Sequence, residues 1–184
     1  MSTLRKYLND YKVQGDVTVI YATRKGNTFE ITIDTDDLPK MLELNKSWYL
    51  DWNKSTNSHY AVTGFYLGKE NGKVNHKRIS LQHFLIPINP GEKIDHINHN
   101  TLDYRRENLR VVSNMENTRN RKGKNSNNTS GYRNVTWMGK HWRVQLQKEG
   151  KNVLFPEKFD NPKEAGDFAE SMRSIFYGAF AGNG

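Results

Sequence analysis

The chain has 184 residues, with 28 Lys and Arg against 20 Asp and Glu, a net charge of +8 and a mean hydropathy of -0.89. It has no cysteine, which excludes disulfides, thiolate catalysis and cysteine-ligated zinc. No apolar run approaches the ~20 residues of a bilayer span, and the start, MSTLRKYLNDYK, lacks an apolar signal core; a soluble, intracellular, cytoplasmic protein is expected.

The first 80 or so residues read as strand-rich. VTVIYAT (17–23) and TFEITI (28–33) are β-branched and aromatic runs separated by Lys25-Gly26-Asn27, a turn signal. Asp34, Thr35 and Asp36 are candidate caps for a short helix over 37–44, with Pro39 tolerated in its first turn. SWYLDW (47–52), HYAVTGFYL (59–67) and KVNHKRIS (73–80) read as further strands, and Asn71-Gly72 marks a hairpin between the last two. SLQHFLI (80–86) reads as one or two helical turns stopped by Pro87 and Pro90.

From Gly91 the character changes. EKIDHI (92–97) is a short strand, NHNTLDYRREN (98–108) a polar loop, LRVVS (109–113) a second strand, and NMENTRNRK (114–122) a polar helix capped by Ser113 or Asn114. GKNSNNTSG (123–131) has linker composition. Strands are predicted at 132–137, 141–148 and 151–155, then a helix over 162–177 opened by Asp160 or Asn161 with Pro162 at its first position. Its apolar residues Ala165, Phe168, Ala169, Met172, Ile175 and Phe176 follow helical spacing and are predicted to pack on the sheet.

The charge is concentrated. Residues 1–103 carry a net +1, residues 104–152 a net +9, and residues 153–184 a net -2. Such a basic window suits phosphates, because Lys and Arg displace their condensed counterions. Tyr132, Trp137, Trp142 and many Asn residues are interleaved with the basic residues, adding stacking surfaces and amide hydrogen bonds.

Asp95 and His96 stand side by side at a strand end, beside a loop and ahead of an Asn-bearing helix. A neutral imidazole can take a proton from water, and a carboxylate is a hard ligand suited to Mg²⁺. Those roles are complementary in phosphodiester cleavage. By itself the pair is a weak signal, and a surface Asp-His that merely orients a turn is the commoner case.

IDHINHNTLDYRRENLRVVSNMEN resembles the ββα-metal nucleases of the HNH family, above all the homing endonucleases encoded by phages and introns. The resemblance implies His96 as general base, Asn108 as the central residue that ties the loop, and Asp95 and Asn117 as ligands of one Mg²⁺ or Mn²⁺. The third motif position is Asn, giving H-N-N, and Asn120 is the alternative for that role. His99 stands where the family more often has Gly. Arg105, Arg106 and Arg110 are expected either to grip phosphates or to form ordinary salt bridges. Asp103 and Glu107 are read as their local partners or as caps. His83 is expected to pack or to bond a backbone group.

The C-terminal stretch, with SGYRNV, GKHWRVQL, a Phe before an acidic-Asn-Pro helix start, and EAGDFAE, resembles the ethylene-response-factor type of DNA-binding domain. That implies a three-stranded antiparallel sheet packed on one helix, with Arg133, Trp137, Lys140, Trp142 and Arg143 facing the major groove. Asn134 replaces a usual Gly, and Trp142 is read as either groove-facing or core. Arg119 and Arg121 are expected to touch DNA from the helix and the linker.

The expected architecture is thus α+β: a strand-rich region (1–90), a ββα-metal nuclease unit (91–122), a basic linker (123–130) and a DNA-binding module (131–184). The expected activity is site-specific, metal-dependent DNA hydrolysis, nicking one strand per active site. The expected partner is double-stranded DNA, bound by a monomer without membrane or obligate protein partner. A catalytically inactive DNA-binding regulator on the same scaffold is the rival; an RNA partner is disfavoured, since a groove-reading sheet suits B-form duplex. The sequence does not decide whether the N-terminal strands recognise DNA or support the nuclease unit.

Overall fold

The computed structural model describes residues 8–120, 124 and 127–182. The chain is α+β, built from several small sheets and few helices, and divides into two compact units, Met1–Val112 and Ser113–Gly184.

In the first unit, β1 (Tyr11–Gln14), β2 (Val17–Arg24) and β3 (Asn27–Asp34) form an antiparallel meander. Lys25 and Gly26, at φ 50° and 80°, make the two-residue turn between β2 and β3 that matches strand twist. A 3-10 turn, Thr35–Asp37, leads into α1 (Leu38–Leu44) without a side-chain cap bond, so Asp34 is not the expected cap. A second meander follows: β4 (Tyr49–Asn53), β5 (Ser58–Glu70) and β6 (Lys73–Ser80), with Asn71-Gly72 at the β5–β6 turn. Helix α2 (Leu81–Leu85) comes next, then the two-stranded sheet of β7 (Glu92–His96) and β8 (Leu109–Ser113).

One core joins these pieces. Ile31 and Ile33 of β3, Leu50, Ala61 and Leu81 cluster with Tyr104 of the 97–108 loop and Leu109 of β8. Burying each large apolar side chain contributes about 1.5–3 kcal/mol. Loop and N-terminal strands therefore stabilise each other. β3 is an edge strand, and the loop pairs with it: Thr32 N donates to Leu102 O at 2.9 Å, Tyr104 N donates to Thr32 O at 2.8 Å, and Thr32 bridges Asp103 in parallel. Tyr104 Oη accepts from Ala61 N at 2.7 Å. The edge of β3 and the Ala61 position of β5 thus hold the loop in place.

In the second unit, α3 (Asn114–Arg119) begins with a complete capping box, in which Ser113 Oγ accepts from Glu116 N and the Glu116 carboxylate accepts from Ser113 N. Strands β9 (Val135–Trp137), β10 (Trp142–Lys148) and β11 (Lys151–Leu154) form an antiparallel sheet in the order β11-β10-β9, and α4 (Pro162–Tyr177) covers it through Ala165 and Ala169. The strand predicted over 132–137 starts only at Val135; Asn134 takes φ 66°, a left-handed backbone that Asn and Gly adopt most readily. A methyl group on Gly166 would come within 2.4 Å of Tyr132 Cδ1, so glycine lets α4 close on that side chain.

One predicted core position differs. Ile175 is 71% exposed, whereas Arg173, on the opposite flank of α4, is only 2% exposed. Its guanidinium donates to Arg133 O, so the 130–134 segment covers this flank and leaves the Ile175 flank bare.

Candidate active site

Strand β7 ends by burying both Asp95 and His96. The His96 ring is 5% exposed and stands edge-on to Tyr104 at 5.3 Å and to Tyr60 at 6.1 Å. Burial lowers its pKa to about 4, against the opposing fields of Asp95 and Asp103. The imidazole is therefore neutral at pH 7. Its Nε2 is buried and has no hydrogen-bond partner among the described residues.

The loop after His96 is held by short polar side chains. His99 N donates to His96 O at 3.0 Å, with His99 itself at φ 61°, a left-handed conformation that glycine adopts at no cost. Asn108 spans the loop. Its Oδ1 accepts from Asn98 N at 2.9 Å, its Nδ2 donates to Asp103 O at 2.8 Å, and its carbonyl accepts from Ile97 N at 2.9 Å. Asn98 Nδ2 in turn donates to Asp103 Oδ2. Burial would raise the Asp103 pKa, but hydrogen bonds from Arg105 and Asn98 and the Arg105 charge outweigh it and hold the carboxyl below its usual value.

The expected phosphate-gripping arginines all have carboxylate partners. Arg105 pairs with Asp103 and Glu107. Arg106 pairs with the buried Asp37, and its backbone N–H donates to Asp34, which explains where that carboxylate goes instead of capping. Arg110 donates through Nε and Nη2 to Asp95 Oδ2, at 2.9 and 2.8 Å. Asp37, Asp34 and Asn98 were not assigned to the site from sequence. Asn98 had a signal in its Asx-turn character, bonding Asn100 N; the two aspartates lie some 70 positions from their partners and had none. His83 is exposed and bonds Ser80 Oγ at 2.5 Å through Nδ1.

Asn117 is exposed on α3, within the second unit, whereas Asn120 is buried at that helix's C-terminal end. The Arg119 guanidinium lies 4.8 Å from the Tyr177 ring centroid. Arg133, expected at a DNA surface, is buried: Nη2 donates to Arg119 O at 3.1 Å, placing a cation on the C-terminal end of α3. Trp137 and Trp142 pair across β9 and β10 at 5.1 Å, and strand alternation puts both on the face that bears Val135 and Val144, where Trp142 packs against the core. The opposite face carries Thr136, Arg143 and Gln145, with Arg143 anchored to Phe155 O. Lys140 is exposed in the β9–β10 turn, and Arg121 lies outside the described residues.

For a divalent ion the donors are suitable but few. Asp95 offers a carboxylate already facing one cation, and no group of three or more His, Asp or Glu that could hold an ion occurs among the described residues. That suits Mg²⁺, which keeps water and binds through one or two carboxylates plus substrate phosphates, and does not suit a closed structural site.

Residues 82–119, which span α2, the two-stranded sheet, the Asn108-tied loop and α3, match the HNH endonuclease family. No curated protein and no solved structure matches the chain. No helix of the described residues is long and apolar enough to cross a membrane.

Proposed function

We propose that the protein is a site-specific, homing-type DNA endonuclease that nicks one strand per active site in the presence of Mg²⁺ or Mn²⁺. The carrying observation is His96: a buried, neutral imidazole with an unpartnered Nε2, beside Asp95, at the mouth of a loop tied by Asn108. His96 Nε2 takes a proton from the attacking water. The water oxygen bonds to phosphorus, the bond to the 3′ oxygen breaks, and that oxygen takes a proton from solvent, leaving 5′-phosphate and 3′-hydroxyl ends. A divalent ion held by Asp95 would offset the negative charge developing on the phosphate and the leaving oxygen, and Asn117 is carried over from the resemblance alone as its second protein ligand. Asn108 acts through the loop: with both amide ends engaged, it fixes the backbone on which the ring sits.

The second unit contributes to recognition through Lys140 and Arg143, which stand on or beside the sheet face away from α4. Arg105, Arg106 and Arg110 reach phosphates only by exchanging carboxylates for them, which makes them positioning residues in the free protein.

The test is supercoiled plasmid with Mg²⁺ or Mn²⁺. Nicking by the wild type that disappears in His96→Ala supports the reading. Tight duplex binding with no cutting by either protein overturns it in favour of a DNA-binding regulator.

A further inference from the structure

The β5–β6 hairpin is longer than its packing requires. Leu50, Ala61 and Leu81 at its base belong to the core, but residues 69–78 are all exposed, together with Tyr66 at 61% and Leu67 at 63%. This ribbon is also where the first unit carries its charge. Residues 65–78 hold Lys69, Lys73, Lys77 and Arg78 against Glu70, a net +3 inside a region, 1–103, that nets only +1.

The geometry ties the ribbon to the active site. Along β5 the pleat puts Tyr60, Val62, Gly64 and Tyr66 on one face, opposite the core-facing Ala61. Tyr60, at one end of that row, is the residue whose ring stands against His96. Tyr66, at the other end, stacks edge-on with His76 at 5.7 Å. Six residues of strand separate them, about 20 Å at ~3.3 Å per residue. In the middle of the row Val62 is buried, the Tyr49 hydroxyl lies over Gly64, and Arg78 reaches Asp51 on β4, so side chains of the neighbouring strands complete the surface there. A break in register between Tyr66 and Gly68 gives the outer ribbon its own bend.

We propose that this face of the second meander is a track for duplex DNA, running from His96 outward along β5 and ending with the β5–β6 ribbon against the groove and its phosphates. A two-stranded ribbon fits the major groove, the net positive charge suits its walls, and the row has a tyrosine at each end, the inner one against His96. The contact would lie about six base pairs from the scission site, taking ~3.4 Å per step. The inference rests on the endonuclease reading for the identity of the partner.

Because the chain has no cysteine, the ribbon can be labelled at a single position. A Lys73→Cys variant carrying tethered iron–EDTA should cut a bound mixed-sequence duplex, whereas the same tether on Lys25→Cys, in the exposed β2–β3 turn, should not. Replacing Lys69, Lys73 and Lys77 together by Gln should weaken binding of that duplex in EDTA roughly ten- to hundredfold at moderate salt and reduce the salt slope by about 2–3. These side chains are exposed, so the thermal unfolding curve should not move; the single-cysteine variant tests the same surface if it does. Unchanged affinity and slope in the triple variant, or no more scission from Lys73→Cys than from Lys25→Cys, would overturn the DNA track and leave the nuclease intact. Light scattering showing a wild-type dimer that the triple substitution splits, with DNA binding unaltered, would assign the ribbon to a second copy instead. Failure of the wild type itself to bind duplex would bring down the endonuclease reading as well.

Discussion

The loop at 97–108 and the sheet of β9 to β11 both carry arginine and side-chain amides, Asn in the loop and mostly Gln on the sheet, yet they use those residues in opposite ways. In the loop, polar side chains turn inward: Asn108, Asp103 and His96 are buried, and the first two are fully engaged with backbone and neighbouring side chains. On the sheet, Arg143 and Gln145 stay on the face away from the helix, and Lys140 stands in solvent. A group that must move a proton profits from a dry, fixed setting. A surface that must meet a charged polymer profits from hydrated cations that exchange partners readily.

The largest effect that separates the two regions should come from His96→Ala. Loss of a general base lowers turnover about 10²- to 10⁴-fold, with duplex affinity retained, whereas Arg143→Gln should weaken affinity and leave single-turnover cleavage at saturating enzyme near its wild-type rate. Single-turnover plasmid nicking beside fluorescence anisotropy reads both. If Arg143→Gln slowed cleavage at saturation as much as His96→Ala, the division of labour would be wrong.

Next comes Asn108→Ala, which strands Asn98 N and Asp103 O in the interior, at roughly 1–3 kcal/mol for each group. Urea unfolding should show the loss in the first unit, and the same change at Asn134 should cost less, since that side chain makes a single bond, to Gln145 O.

The pH dependence of stability should be comparable in size. The folded value for His96, about 4, lies below the unfolded 6.5. As pH falls the unfolded chain takes up this proton first, so the contribution is complete above about pH 6.5 and is lost progressively down to about pH 4. The total is about 3 kcal/mol. Denaturant midpoints measured between pH 7 and 4 should show the slope, and His96→Gln should flatten it. The same group sets the acid limb of kcat/KM in the free enzyme near pH 4.

The smallest effect should be Gly166→Ala, which forces Tyr132 aside and overpacks α4 by about 1–3 kcal/mol. Thermal unfolding followed at the tryptophans should shift for the second unit, with its Trp137–Trp142 pair, and not for the first, with Trp48 and Trp52.

Local chemistry was legible in the sequence: the turns at Lys25-Gly26 and Asn71-Gly72, the Ser113 cap, and the salt-bridge role of Asp103 and Glu107 beside their arginines. Each depends on residues a few positions apart. The Asn108 tie was expected only through resemblance, because an Asn in a polar loop has many possible partners. The support from Thr32, Asp34 and Asp37 was not legible, since nothing in a strand's composition names the loop that will pair with its edge. Arg133 misled for a related reason. An arginine among aromatic and Asn residues reads as a nucleic-acid contact, and only the carbonyl of Arg119 at 3.1 Å reveals the anchor.

The pairing of Leu102 and Tyr104 with Thr32 has a further consequence for the protein in a crowded cell. An uncovered strand margin is a template on which other chains can add and aggregate, and here the 97–108 loop is its cover. Damage to the loop would thus strip a safeguard against insolubility along with the activity. An inert variant meant to stay dispersed is best made by changing the imidazole alone, and a 91–122 fragment cut free of its strands would leave two sticky surfaces where there had been none.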